Sequence, residues 1–482
     1  MIYCLSLLLP VIGAAAIIGP RGKHRWKSVL VAACAAETLC NILLALLPAR
    51  SFEMFRLLDL SFILCGDPVG CFFAILFSVL FLSCGIYATA YLEHDKRPDI
   101  FSIIFLLTLS AMIGLCYAGD LATYYMFFEC LTLVSFALIL HDRRDKSRWA
   151  AVKYLCYSLI GAALVLFGMV FLKHLLGDLT FVPGGHAQTA GKMLLAVGFI
   201  TVMGFGCKAG LMPLHDWLPV AHPEAPAPAS AILSGCVTKA GVLGIARTMY
   251  YVIGAKVLSG TWVQTALIVL TLVTVFCGSM LAFKENILKK RLAYSTVSQV
   301  SYALFGLVLF TPAGFLGAIL QVLFHALTKV CLFLSAGSML HGTERETVRL
   351  PDGRASYAGL AKTMPLTAAA FTLASLSLVG LPPFGGFVSK WYLANGSFAS
   401  LGVTGWIGAA VLLVSALLTA GYLLSISRQA FFPADGEALP TQGEHSRSMT
   451  LPLIILAGLL AVLGIFCIFL GTGTLVLVST LL

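Results

Sequence analysis

Gly204-Phe205-Gly206-Cys207-Lys208-Ala209-Gly210-Leu211-Met212-Pro213 lies inside an apolar run from 191 to 216, long enough to cross a lipid bilayer. A lysine at such depth costs at least about 2.5 to 3.5 kcal/mol on insertion scales, so it implies use rather than accident. The glycines and the proline free backbone carbonyls and amides, which is tolerable at membrane depth only inside protein or beside water. The stretch therefore predicts a membrane helix broken beside a charge, the arrangement that marks ion sites in transporters. It returns at Leu378-Val379-Gly380-Leu381-Pro382-Pro383-Phe384-Gly385-Gly386, followed by Ser389-Lys390.

The rest of the chain agrees with a membrane setting. Of 482 residues, 59% are hydrophobic and 11% charged, and the mean hydropathy is +0.96, which excludes a soluble globular domain. Apolar runs of about 17 to 25 residues predict an all-α polytopic membrane protein of about fourteen transmembrane helices. They fall near 2–19, 28–48, 69–92, 100–118, 121–140, 150–176, 191–216, 229–253, 262–283, 291–310, 314–340, 364–398, 403–427 and 451–480. The first run has no basic residue ahead of it and reads as a retained helix rather than a signal peptide.

Basic residues set the orientation. If the loop after the first helix is cytoplasmic, alternate loops carry about twenty Lys and Arg, from Arg21, Lys23, Arg25 and Lys27 through Arg345, Arg349 and Arg354 to Arg447, against five on the other side. The positive-inside rule then puts both termini outside. The net charge of +10 is a topology signal and not a nucleic-acid footprint. The fourteen cysteines are scattered without a Cys-x-x-Cys pair, so they read as apolar packing residues; no metal or cofactor is expected in this chain.

Charges and polar groups at depth form the candidate site. Besides Lys208 and Lys390, Lys239 and Lys329 lie in apolar runs. Gln321, His325 and Lys329 recur at i, i+4 and i+8, which places them on one helix face. His and Lys both carry protons. Ser295, Ser298, Gln299 and Tyr302 in the preceding run suit either a water chain or packing. Glu129 is an acid deep in predicted helix 5 and needs a cationic partner; Glu37 is the other deep acid, its role left open.

Spacing also suggests an internal repeat. Lys153 is followed eight residues later by Gly161, as Lys329 is by Gly337, and broken helix 7 matches broken helix 12. Each match is five helices apart, an odd offset that reverses orientation. Helices 4 to 8 and 9 to 13 would then be two inverted five-helix repeats. The expected segments are 1–99 (helices 1–3), 100–253 (first repeat), 262–427 (second repeat) and 428–482 (loop and last helix).

The run from Lys208-Ala-Gly-Leu-Met-Pro through His215-Asp-Trp-Leu-Pro-Val-Ala-His222-Pro-Glu-Ala-Pro to Lys239-Ala-Gly-Val-Leu-Gly-Ile-Ala-Arg247 resembles the antiporter-like proton-translocating subunits of respiratory complex I, group 4 membrane-bound hydrogenases and Mrp-type cation/proton antiporters. Phe128-Glu129, Lys153-Tyr154, Arg291-Leu-Ala-Tyr-Ser-Thr296 and His325-Ala-Leu-Thr-Lys329 extend the resemblance across helices 4 to 13. It implies a proton relay in which Glu129 pairs with Lys208, Lys239 bridges, His325 and Lys329 pass the proton on and Lys390 ends the series, with Lys153, His215, His222 and Gln321 as accessories. Ala221 to Pro226 is more similar to the redox-complex members than to Mrp members. The implied function is proton translocation in a multisubunit redox-driven complex of the energy-converting hydrogenase or complex I type, with an Mrp-type sodium/proton antiporter subunit as the alternative. The implied partners are sibling membrane subunits and a peripheral module with Fe–S subunits, in a prokaryotic cytoplasmic membrane. The long lateral helix of the largest members is expected to be missing.

Overall fold

The computed structural model describes residues 2–18, 25–57, 59–341, 357–433 and 443–470. In chain order its helices begin with α1 (Ile2–Ile18), α2 (Arg25–Ala45), α3 (Pro68–Tyr91), α4 (Pro98–Cys116), α5 (Leu121–Ile139), α6 (Asp145–Leu176) and α7 (Lys192–Ala209). Then come α8 (Leu218–Glu224), α9 (Ala227–Ile232), α10 (Thr238–Ala246), α11 (Ala255–Leu258), α12 (Trp262–Lys284), α13 (Leu288–Val308) and α14 (Pro312–Leu340). The last are α15 (Leu360–Thr363), α16 (Pro365–Val379), α17 (Gly385–Leu401), α18 (Gly405–Phe431) and α19 (Arg447–Leu470). The chain groups into two compact units. One comprises Met1–Ala209 with Cys236–Val263, the other Gly210–Gly235 with Gln264–Leu482.

Helix starts follow local chemistry. Asp67 precedes Pro68 and accepts a hydrogen bond from Gly70 N at 3.1 Å; Thr311 precedes Pro312 and accepts from Gly314 N at 3.1 Å. Both combine a capping oxygen with a proline whose missing N–H leaves no donor unsatisfied. Asp120 caps α5 through Thr123 N at 2.7 Å.

In the first unit, α1 to α4 pack together, α6 lies along α7, and α7 meets α10. Gly161 and Gly204 make the α6–α7 approach possible: a Cβ on either would stand 2.7 Å from the other's carbonyl oxygen. Between α2 and α3 the chain forms an antiparallel hairpin, β1 (Ser51–Leu57) with β2 (Leu60–Cys65), paired from Ser51↔Cys65 to Leu57↔Leu60. The chain is mostly helical, as expected, and this hairpin is an addition the all-α reading did not include. Ser-Phe-Glu-Met and Phe-Arg-Leu each alternate with a strand's period of two, the phase breaking at the register shift between Glu53 and Phe55, and Ile63 N of β2 donates to the Asp120 carboxylate at 2.8 Å.

In the second unit, α14 is the hub: it packs on α9, α13, α16, α17 and α19 and is buried along most of its length. Arg21 and Lys23 of the first predicted loop, Arg345, Arg349 and Arg354 of a later one, and the end of the predicted last helix lie outside the described residues.

Among the described residues, eleven helical stretches are long and apolar enough to cross a membrane; Ile2–Ile18 and Pro365–Val379 are apolar but shorter. One of the eleven, Gly385–Phe431, contains both α17 and α18, and α13 falls outside the set because its serines, Gln299 and basic first turn dilute an otherwise buried helix. The predicted run 364–398 is two helices, as its Gly-Leu-Pro-Pro core requires, and the run 191–216 stops being helical at Ala209. Large apolar side chains such as Leu159, Phe167, Val273 and Leu413 are exposed on the outside, where hydrocarbon can cover them.

Candidate functional site: buried lysines in two units

The two breaks are built alike. α7 is followed by Gly210 with φ +84°, and α16 by Gly380 with φ +89°. Both positions need the left-handed backbone that glycine adopts without a Cβ penalty, and both open a Gly-Leu-x-Pro turn. The two lysines, however, stand on opposite sides of their breaks. Lys208 comes two residues before its glycine and Lys390 ten after, so Leu378 occupies the place that Lys208 holds.

Lys208 is buried in the last turn of α7, where the helix's carbonyl end favours a cation. Its Nζ donates to Thr132 Oγ1 of α5 and to the Tyr154 hydroxyl of α6, the latter at 3.3 Å, and it sits 4.6 Å from the centre of the Phe128 ring. Ser135 and Tyr154 share a hydrogen bond of 2.6 Å, so the hydroxyls continue past the ammonium. Glu129 does not close an ion pair with it. The carboxyl is half-buried and its Oε1 has no hydrogen-bond partner. The hydrogen bonds of Lys208 thus go to two neutral hydroxyls, while the Glu129 carboxyl, one turn of α5 from Thr132, stays close enough for the two charges to act on each other.

Lys239 is fully buried on α10 and donates to Thr238 at 3.4 Å. Its helix is flanked by π-helical turns, Leu233–Val237 and Arg247–Ile253, a distortion frequent at functional sites. Tyr124 of α5 donates to the carbonyl of Ala240, next to the lysine. Lys153 is on α6 beside Tyr154 and is half-buried.

The second unit gathers the remaining predicted residues around α14. Lys329 is fully buried and donates to Leu292 O at 2.9 Å and to the Ser295 hydroxyl, both on α13. Gln321 donates to Gln299 Oε1 at 3.0 Å and accepts from Ser389 at 2.7 Å, tying α13, α14 and α17 together. His325 is buried between these two positions on α14. His222, also fully buried, stacks on Phe333 at 4.9 Å, while His215 in the turn after the first break is half-buried.

Lys390 of α17 reaches back across its break. Its Nζ donates to Leu378 O and Val379 O, each at 2.7 Å, and lies 5.3 Å from the Tyr302 ring. The last four carbonyls of a helix have no partner within it. Here Leu376 and Ser377 are satisfied by Gly380 N, and Leu378 and Val379 by the lysine. A broken helix end is therefore capped by a lysine from across the break.

Two polar clusters in the first unit were not legible in the sequence, although the acid of the second, Glu37, stood out there. Arg247, fully buried, donates to both oxygens of Asp67 at 2.7 and 2.5 Å and lies between Phe181 and Tyr251, 4.9 Å from each ring centre. Arg247 ends the run that begins at Lys208, but its partner is 180 residues away and left no local signal. The second cluster surrounds Glu37. Among the described residues, Asp95, His141 and Asp142 alone bring three possible metal ligands together; His141 is paired with Asp95 at 3.2 Å and Asp142 meets Arg144, so the group is satisfied as it stands.

Residues 118–424 match the family model described as NADH:quinone oxidoreductase/Mrp antiporter, TM. The chain belongs to that family. All six relay candidates fall within the matched region. The chain is 34% identical over 428 residues to NADH-quinone oxidoreductase subunit N of Desulforudis audaxviator, covering 83% of this chain and 81% of the relative. It is 28% identical to a Na(+)/H(+) antiporter subunit of Alkalihalophilus pseudofirmus, covering 83% of this chain and 80% of that relative. A chain in the Mrp complex from Dietzia sp. DQ12-45-1b superposes with a TM-score of 0.84 at 23% identity, over 100% of this chain and 96% of that one, which establishes the shared fold. This NADH:quinone oxidoreductase/Mrp antiporter family member is an antiporter-like membrane subunit, and its relatives are themselves named as subunits of larger assemblies.

Proposed function

We propose that this subunit moves protons through the membrane part of a multisubunit redox-driven complex, using Glu129, Lys208 and Lys239 in the first unit and His325, Lys329 and Lys390 in the second. The observation that carries the proposal is the choice of partners: Lys208 and Lys390 are held by neutral oxygens rather than by carboxylates. A carboxylate would lock the positive charge in place. Hydroxyls and carbonyls hold an ammonium or a neutral amine without rebuilding the site. Lys208 would alternate between the Thr132–Tyr154 hydroxyls and Glu129, one turn of α5 away, and each swing would change how firmly it keeps its proton. A change of about 1.4 kcal/mol in that balance moves the proton equilibrium tenfold.

Redox coupling is favoured over sodium exchange by the 34% identity to an NADH-quinone oxidoreductase subunit and by the Ala221-His-Pro-Glu-Ala-Pro226 turn. The redox centres would sit in partner subunits, including a peripheral Fe–S module, with H+ as the transported ion and both chain termini on the outer side of a prokaryotic cytoplasmic membrane. An Mrp-type sodium/proton antiporter subunit is the second reading, supported by the antiporter relative. Purifying the native assembly tests the choice: co-purifying iron–sulfur subunits support redox coupling, whereas an assembly of membrane subunits alone supports the antiporter.

A further inference from the structure

The first unit buries a carboxyl that the lysine series does not use. Glu37 of α2 is fully buried. Its Oε1 accepts from Ser6 Oγ of α1 at 2.5 Å and from Asn41 Nδ2 at 2.8 Å. Asn41 Oδ1 in turn accepts from Tyr117, which caps the end of α4, at 2.8 Å, and lies 3.0 Å from Ser6 Oγ. The second oxygen, Oε2, is buried with no hydrogen-bond partner.

Among the described residues, no positive charge compensates the acid. The helices packed against α2 are α1, α3 and α4. The ionisable neighbours are Cys34 and Cys40 on α2 itself and Tyr117 from the end of α4. Ser6 is the group α1 contributes, and α3 approaches through Gly85, beside Cys34. An isolated buried carboxylate is among the most expensive groups a protein can hold, so it is neutralised where it stands. A metal cation does not suit the place. Hard cations need several oxygen ligands, and here Oε1 and Asn41 Oδ1 already face N–H and O–H donors, leaving Oε2 alone.

A cavity comes within one helical turn of Ser6 and Asn41, the two partners of this group. It holds about 310 Å³ between the start of α1 and the end of α2 and is lined by Tyr3, Leu44 and, at its rim, Arg50. Tyr3 is three residues before Ser6 and Leu44 three after Asn41, and the Tyr3 ring packs on Tyr117 at 5.0 Å between centres. Cavity, Tyr3, Tyr117, Asn41 and Glu37 are thus consecutive neighbours.

We propose that Glu37 is a proton-binding site separate from the lysine series, a neutral carboxylic acid that exchanges its proton with water in the cavity past Tyr3 and Tyr117. The O–H bond breaks to give the carboxylate and a proton taken by cavity water, and reforms in reverse; no other reactant is needed.

Infrared spectroscopy of the full chain in its native assembly tests this. At neutral pH the carboxylic-acid C=O band should be present, disappear in Glu37→Gln, and shift on transfer to deuterium oxide. Leu44→Trp, which fills the cavity wall, should slow that shift several-fold. Treatment of the unsubstituted protein with dicyclohexylcarbodiimide, which attacks protonated carboxyls in apolar surroundings, should give an adduct on Glu37 by peptide mass spectrometry. A spectrum unchanged by Glu37→Gln, a band that does not shift in deuterium oxide, a Leu44→Trp rate equal to that of the parent, or no Glu37 adduct would each overturn the proposal.

Discussion

Replacing Asp67 removes two jobs at once, and the structure separates them. Its Oδ1 caps α3 through Gly70 N, and both carboxylate oxygens neutralise the fully buried Arg247. Losing an N-cap costs about 1 kcal/mol. Stranding a buried charge costs about 3 to 5 kcal/mol, and the Phe181 and Tyr251 rings, which contact the guanidinium with or without Asp67, do not alter that difference. Asp67→Ala should therefore lower unfolding stability by about 4 to 6 kcal/mol, most of it from the guanidinium. Asp67→Asn keeps a capping oxygen and should lose about 1 kcal/mol less than Asp67→Ala. Because the Asp67 side chain is 24% exposed and Arg247 only 1%, Arg247→Leu leaves an acid that water can reach and should cost less than Asp67→Ala; the double variant should be more stable than Asp67→Ala alone. Denaturant unfolding of the purified chain in detergent, followed by far-ultraviolet circular dichroism, measures all four corners of the cycle. If Asp67→Ala costs no more than the cap, or if Arg247→Leu adds its full cost in the Asp67→Ala background, the buried pair does not stabilise the first unit in this way.

Thr132→Val keeps the shape of the side chain but takes the hydrogen bond from Lys208, a charge-assisted contact worth about 1.5 to 3 kcal/mol; proton translocation by the assembly should fall about tenfold or more, and Thr132→Ser should restore it. Equal rates in all three proteins would show that the hydroxyl does not position the lysine. Gln321→Leu strands Gln299 and weakens the tie to Ser389, costing about 1 to 3 kcal/mol in the same unfolding assay, whereas Ser389→Ala should cost less, since one Gln321 oxygen contact is lost and the Gln299 link remains. In the loop after α6, partial burial pulls the Asp178 carboxyl up, but donors from Thr180 Oγ1, Thr180 N and Leu179 N, with His186 nearby, outweigh it and hold the group below the usual carboxylate value. Its contribution is complete above the ordinary carboxyl pKa and is lost as pH falls through the lower folded value. The protection of the Thr180 amide, its exchange rate relative to the intrinsic rate at the same pH, should fall there in the parent and stay constant in Asp178→Asn; identical protection profiles would contradict the assignment.

The breaks were legible because glycine and proline act locally: Gly210 and Gly380 end their helices where the sequence placed the interruption. Buried lysines were legible for an energetic reason, since no apolar run keeps a charge by chance. Partners were harder. Glu129 and Thr132 are three residues apart on one helix, and periodicity alone could not show that the hydroxyl rather than the acid receives Lys208. The hairpin at 51–65 was too short and too mixed to stand out between long apolar runs. Glu37 and Asn41 are four residues apart on α2, but Arg247, Ser6 and Tyr117 reach their partners from distant parts of the chain, where no spacing rule applies.

If lysines on neutral partners carry the transported proton, proton uptake by vesicles containing the native assembly, energised by its own substrate, depends on both of them. Lys208→Ala and Lys390→Ala should each reduce uptake to the level of vesicles treated with an uncoupler while the assembly remains intact; uptake at the unsubstituted rate in both variants would show that the proton takes another route.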